Sequence, residues 1–104
     1  MADSYQIDRE RTGDQAAVIL RPHGELDIND REELAAAIFD ALGEGDRLVV
    51  DLAGVTFLDS EALSALIDGY NSAVTLGAGF RVVNARGTVA RVLIVSGAQE
   101  LFDS

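Results

Sequence analysis

Two short segments hold the residues whose types and spacing could support chemistry. The first is Gly24-Glu25-Leu26-Asp27, and the second covers residues 51–60 and ends in Asp59-Ser60. Asp-Ser directly before a helical apolar pattern places a hydroxyl in the first turn of a helix, pointing outward. A negatively charged group there would meet free backbone N–H groups and the positive end of the helix dipole. Ser60 is therefore a candidate functional residue at the start of a helix.

Other chemistries find little support in the residue types. His23 is the single His, and the sequence has no Gly-x-Ser-x-Gly segment, which argues against a Ser-His-Asp hydrolase. All basic residues are Arg and there is no Cys, so Schiff-base chemistry, thiolate catalysis and Cys-ligated metals are excluded. Asp51 ends an apolar run but lacks the paired acids and the Lys of a phospho-accepting Asp site. We expect no enzyme activity, no cofactor and no metal.

Composition sets the broad class of the protein. A chain of 104 residues with 48% apolar residues is expected to form one domain over residues 1–104. The formal net charge of −10 would repel phosphate backbones, so we expect no nucleic-acid binding. No apolar run approaches the about 18 residues that a membrane span needs. We expect a cytoplasmic protein without membrane insertion.

Apolar runs and turn residues predict the strands. Residues 5–10 and 16–20 favour an opening hairpin, with the second strand ending before Pro22. Residues 47–52 form an apolar run without alternation, typical of a central strand that is either covered on both faces or flanked by parallel neighbours. Residues 80–83 predict a further strand, and Leu101 and Phe102 could begin a last one.

Three-and-four spacing of apolar residues predicts three helices. The first covers residues 30–42, with a cap formed either by Asn29 and Glu32 or by Asp30 and Glu33. The second begins at Ser60, ends near Gly77 and Gly79, and has an apolar stripe. The stripe consists of Leu63, Leu66, Ile67, Tyr70 and Val74. The third helix could be capped by Thr88 and ends at Ser96-Gly97.

The resulting order is strand, strand, helix, strand, helix, strand, helix. It predicts an α/β domain with a mixed sheet of four to five strands, an N-terminal hairpin and three helices. In such a sheet the loops after the parallel strands gather at one edge, where partners are usually met. If the strands before the two segments are neighbours, Asp27 and Ser60 lie near each other.

Residues 51–60, Asp-Leu-Ala-Gly-Val-Thr-Phe-Leu-Asp-Ser, closely resemble the signature of the STAS-domain anti-sigma factor antagonists, and residues 24–27 resemble their second motif. The likeness covers nearly the whole chain in element order. It implies a STAS domain in which Ser60 is phosphorylated by an anti-sigma factor with serine kinase activity. It also implies a metal-dependent Ser/Thr phosphatase that resets the switch, and a role in controlling sigma-factor-dependent transcription.

The resemblance and the sequence together give a partner-binding surface of five residues: Asp27, Asp59, Ser60, Glu61 and Ser64. Simpler interpretations stay open beside this one. Asp59 or Ser60 could serve only as a helix N-cap, Asp27 could only hold a turn, and Ser64 could be an ordinary serine on the helix surface.

The sequence departs from the family pattern in two places. After Asp-Ser the family usually continues with Ser or Thr and then Gly-Leu, whereas this chain has Glu61 and Ala62 before Leu63. Family members also commonly carry one more helix after the last strand, and this chain ends at Ser104. Glu61 beside Ser60 keeps a second function open, a STAS scaffold or accessory subunit of a transporter or stress-sensing complex that is not phosphorylated.

Overall fold

The computed structural model describes residues 5–14 and 16–103, which contain five strands and four α-helices in the order β-β-α-β-β-α-β-α-α. A 3₁₀ turn, Ile28–Asp30, precedes the first helix. The strands are β1 Tyr5–Arg11, β2 Ala17–Leu26, β3 Arg47–Asp51, β4 Val55–Leu58 and β5 Gly79–Val83. The helices are α1 Arg31–Leu42, α2 Ser60–Leu76, α3 Gly87–Ser96 and α4 Ala98–Asp103.

The sheet is mixed, with strand order β1-β2-β3-β5 and with β4 paired to β2 further along that strand. β1 and β2 form an antiparallel hairpin, whereas the pairs β2–β3, β2–β4 and β3–β5 are parallel. Residues 17–20 of β2 face β3, and residues 24–26 face β4. The predicted α/β class, mixed sheet and opening hairpin are confirmed.

Pro22 lies where β2 exchanges β3 for β4 as its neighbour. The predicted end of this strand before Pro22 is wrong, because β2 continues to Leu26. Between Leu20 and Gly24 neither parallel ladder reaches the strand, and proline, which has no N–H to donate, is compatible with that gap. Gly24 then adopts φ 95°, a left-handed conformation that glycine tolerates, and the register shifts at this point.

β4 is the strand that the sequence did not predict. Residues 54–60 were expected to form a loop, but Val55–Leu58 pair with the end of β2. Val55 and Leu58 are buried, while the two residues between them are exposed. Because only the first and last of these four residues point inward, the segment lacks the alternation that predicts a strand. Its extended conformation therefore depends on pairing with β2.

Helices cover one face of the sheet, and the other face carries ion pairs. Alternate residues of the strands are buried beneath the helices, among them Val18, Leu20, Leu48, Val50, Phe80 and Val82. On the opposite face Arg21 lies 2.6 Å from the Glu10 carboxylate and 3.5 Å from that of Asp51. β3 is therefore a central strand flanked by parallel neighbours, with one face covered.

α1 and α2 bury the predicted stripes with one exception. Leu34, Ile38, Ala41 and Leu42 of α1 are buried, as are Leu63 and Leu66 of α2, and Gly77 ends α2 in the left-handed conformation. Val74, the last residue of the predicted α2 stripe, is 62% exposed and lies outside the core. The buried row of α2 instead runs through its smallest residues, Ala62, Ala65, Gly69 and Ala73.

The C-terminal elements differ from the sequence-based expectation. α3 begins at Gly87 with Arg86 as its N-cap, so the predicted cap at Thr88 is wrong. A helix, α4, stands where Leu101 and Phe102 were expected to begin a strand. The Phe102 ring lies 5.8 Å from that of Phe80 between centroids and contacts Tyr70, and this aromatic packing fixes α4 against the sheet.

Candidate functional site

β2 and β4 bring the two predicted functional segments to one edge of the sheet. Leu26 and Leu58 are register partners, and the Asp59 N–H donates to the Leu26 carbonyl at 3.1 Å. The next residue after each of these leucines is an aspartate. Asp27 and Asp59 therefore stand at adjacent strand ends, each at the start of a helical segment.

Asp59 is the N-cap of α2. Its Oδ1 accepts the N–H groups of Glu61 at 3.0 Å and Ala62 at 2.9 Å. These two donors would otherwise lack partners in the first helical turn. The cap role, one of the interpretations left open, is performed by Asp59 and not by Ser60.

Ser60 is the first residue of α2 and its side chain is exposed. Because Asp59 supplies the cap, the Ser60 hydroxyl is not used for helix capping. Within the described residues no group forms a hydrogen bond with it. The hydroxyl is therefore accessible to an enzyme that modifies it.

A pocket of about 430 Å³ lies beside Ser60, between the start of α2 and α3. Its lining is mostly apolar and consists of Leu58, Ser60, Leu63, Arg91, Val92, Val95 and Ser96. The sequence did not indicate that α3 contributes to the site. A sequence signal was present, because residues 92–95 are four consecutive apolar residues and one buried face of a helix cannot accommodate all of them. Ile94 and Val95 are 66% and 78% exposed.

The other predicted partner-binding residues are placed differently from Ser60. Glu61 pairs with Arg31 of α1, whose guanidinium lies 3.7 Å from the Glu61 carboxylate and 3.4 Å from that of Asp68. Glu61 thus faces α1, whereas Ser60 borders α3. Ser64 is half-buried one turn further along α2 and is not among the described residues that line the pocket.

Asp27 and Asp30 form a reciprocal cap on the 3₁₀ turn before α1. Asp27 Oδ1 accepts the Asn29 N–H at 2.9 Å, and Asp30 Oδ2 accepts the Asp27 N–H at 3.0 Å. Asp30 occupies the N-cap position of α1, as one of the two predicted alternatives has it, but its carboxylate makes no capping hydrogen bond to α1 and serves the 3₁₀ turn instead. Burial raises the pKa of Asp30, and the neighbouring Asp27 carboxylate adds to the rise, against the hydrogen bond from the Asp27 N–H.

Asp51, at the end of β3, is held by two hydrogen bonds and by an ion pair with Arg21. Burial disfavours its charged form, but the hydrogen bonds from the Ala53 N–H and the Asn84 side chain, together with the Arg21 guanidinium, outweigh burial and lower its pKa. His23, the single His, lies with Nε2 3.0 Å from an Asp8 carboxylate oxygen. Among the described residues, neither the Asp51 nor the His23 side chain forms a hydrogen bond or an ion pair with Ser60.

Among the described residues, no group of three or more His, Asp or Glu side chains is arranged to hold a metal ion. No helix found there combines the length and the apolar character needed to cross a membrane.

Removing the Asp59 carboxylate should destabilise the fold. Asp59→Ala leaves two N–H groups of α2 without their acceptor, and loss of such a cap costs about 1 kcal/mol of unfolding free energy. Asp59→Asn keeps an acceptor oxygen and should lose much less. Urea unfolding of both variants measures the difference. Equal losses in the two variants would show that the carboxylate charge matters and the cap geometry does not.

Comparisons with known proteins agree with this architecture. A family model described as the STAS domain matches residues 6–104. An anti-sigma factor antagonist from Mycobacterium paratuberculosis superposes with a TM-score of 0.84 at 29% identity, covering 95% of this chain and 83% of its own. The antisigma-factor antagonist STAS domain from Rhodobacter sphaeroides superposes with a TM-score of 0.67 at 28% identity, covering 77% of this chain and 86% of its own.

A more distant structure shares the fold. The Bacillus cell fate determinant SpoIIAA in its phosphorylated form superposes with a TM-score of 0.72 at 20% identity, covering 93% of this chain and 87% of its own. Comparison with curated proteins gives no match. The family model spans nearly all of the chain, and the α/β class, the mixed sheet and the opening hairpin agree with the resemblance. The chain belongs to the STAS domain family.

Proposed function

We propose that this STAS domain is an anti-sigma factor antagonist whose binding is switched by phosphorylation of Ser60. One observation carries the proposal: at the start of α2, an exposed serine whose hydroxyl has no hydrogen-bond partner among the described residues borders an open apolar pocket. Such a pocket suits a partner's apolar side chain, and a hydroxyl at its rim is well placed to control entry. The two relatives at 28% and 29% identity are anti-sigma factor antagonists, which supports this role.

The switch works through charge at the interface. A phosphate adds about −1.5 to −2 charges, and it would stand between Asp59 and Glu61 on a chain of net charge −10. A partner that docks here must then remove water from a dianion, and any acidic group it carries is repelled. α2 persists after modification because its cap is the separate carboxylate of Asp59.

The chemistry belongs to the partners in this proposal. An anti-sigma factor with serine kinase activity binds the unmodified surface, releases its sigma factor and transfers phosphate to Ser60. A metal-dependent Ser/Thr phosphatase removes that phosphate, so the chain itself is a cytoplasmic binding protein without enzyme activity. Asp27, Asp59, Glu61 and Ser64 complete the proposed docking surface around Ser60.

Phosphorylation can be tested directly by intact mass. We expect incubation with ATP and the cognate anti-sigma factor kinase to add one phosphate to the protein and none to Ser60→Ala. The variant should fold normally, since the hydroxyl has no hydrogen-bond partner in the described structure. Binding without any mass change would refute the switch and favour the unphosphorylated scaffold or accessory subunit. A mass change that persists in Ser60→Ala would assign the modification to another residue.

A further inference from the structure

The pocket beside Ser60 has a cation on its opposite wall. Ser60 contributes from α2 and Arg91 contributes from α3, with Leu58, Leu63, Val92 and Val95 also lining the cavity. Arg91 is the single charged side chain among the described lining residues. Ser60 and Arg91 therefore line one cavity of about 430 Å³ from two helices.

Arg91 differs from most arginines of this chain in having no ion-pair or hydrogen-bond partner in the part of the chain that the structure describes. Arg9, Arg11, Arg21 and Arg31 each lie within ion-pair distance of a carboxylate, and Arg86 donates to the Ala53 carbonyl at 3.1 Å. Within the described residues, Arg91 has neither an ion pair nor a hydrogen bond, and it is exposed. Its five N–H donors are available to an anion.

Several acidic residues lie on the elements around Arg91, but among the described residues none forms an ion pair or a hydrogen bond with it. Asp59 and Glu61 flank Ser60 on α2, and Glu100 and Asp103 are the carboxylates of α4, the helix that packs against α3. β4, which also contacts α3, has no charged residue. Asp59 is engaged by α2 and Glu61 by Arg31, so no described carboxylate is paired with Arg91.

We propose that Arg91 receives the phosphate of phosphorylated Ser60, so that the modified side chain closes the pocket between α2 and α3. This inference rests on the proposed phosphorylation of Ser60 and adds a regulatory element within the chain. A guanidinium binds phosphate oxygens through two parallel N–H donors, an arrangement that a Lys side chain does not reproduce. The phosphate then acts in two ways: it repels the partner and it covers the apolar surface that the partner needs.

The test installs phosphoserine at position 60 during synthesis, so that no kinase is required. The second ionisation of the phosphate is followed by ³¹P NMR in the wild type, Arg91→Gln, Arg91→Lys and Arg81→Gln. Arg81 is a matched control, because it is exposed on β5 and is not among the described residues of the pocket. Circular dichroism verifies the fold of each variant.

Loss of the guanidinium should raise the phosphate pKa, because a nearby cation favours the dianion. We expect an increase of roughly 0.5 to 1 pH unit in Arg91→Gln, a smaller increase in Arg91→Lys, and none in Arg81→Gln. Identical titration of the wild type and Arg91→Gln would overturn the pairing. That failure is distinct from failure of the proposed function, which a kinase unable to modify Ser60 would show.

Discussion

Phosphoserine at position 60 is expected to weaken binding of the anti-sigma factor by at least tenfold. A tenfold loss of affinity corresponds to about 1.4 kcal/mol of binding free energy. A dianion at the rim of an apolar pocket, between Asp59 and Glu61 in the sequence, is expected to cost at least this much. Ser60→Ala should bind within about twofold of the wild type, because neutral contacts at an interface rim contribute little. Isothermal titration calorimetry gives both affinities.

A matched charge elsewhere on α2 separates a local effect from an effect of net charge. Thr75→Asp adds one negative charge near the opposite end of the same helix, at an exposed residue. This variant should retain wild-type affinity, whereas Ser60→Asp should lose part of it, since one charge replaces a dianion. Equal weakening by Ser60→Asp and Thr75→Asp would mean that overall charge, and not the position of Ser60, determines binding.

The largest expected effect on stability is that of Leu66→Ala. Leu66 is 0% exposed within the core beneath α2, and truncation of such a leucine costs roughly 2 to 5 kcal/mol. Leu76 in the same helix is 60% exposed, so Leu76→Ala should change the free energy of unfolding by less than about 0.5 kcal/mol. Urea unfolding at one temperature measures both. A loss in Leu76→Ala as large as that in Leu66→Ala would contradict the burial described here.

The sequence predicted those elements whose pattern is carried by large apolar residues. α1 and α2 were recognised from their leucines and isoleucines, and β3 from its continuous apolar run. The contact between α1 and α2 was not predictable in the same way, because it depends on Gly69. A Cβ at that position would lie 2.7 Å from Ile38 Cγ2, so the absence of a side chain sets the close approach of the two helices.

β4 and α4 were missed because tertiary partners create them. Val55–Leu58 alone lack the alternation of a strand, and their pairing with β2 is a property of the assembled sheet. Leu101 and Phe102 favour a strand by residue type, yet packing of Phe102 on Phe80 and Tyr70 holds them in a helix. Short segments of this kind follow their environment more than their own propensity.

The candidate site was half visible in the sequence. Asp59 and Ser60 are adjacent in a recognisable sequence segment, so their proximity could be predicted without the structure. The wall that faces Ser60 comes from α3, and no local pattern relates residues 60 and 91. Only the packing of α3 against β4 brings Arg91 and Val95 to the same pocket as Ser60.

The three strand partners of β2 also determine the order in which the protein can assemble. Pairing of β2 with β1 needs only a short turn, whereas β3 and β4 reach β2 after the chain has passed through α1. Contacts between residues distant in sequence form late, because a long loop must first close. Before β4 pairs with β2, residues 24–26 form an unpaired strand edge that can pair with another chain. Ser60 follows β4 directly, so a partner meets this serine in its helical setting only on a chain in which β4 has joined β2.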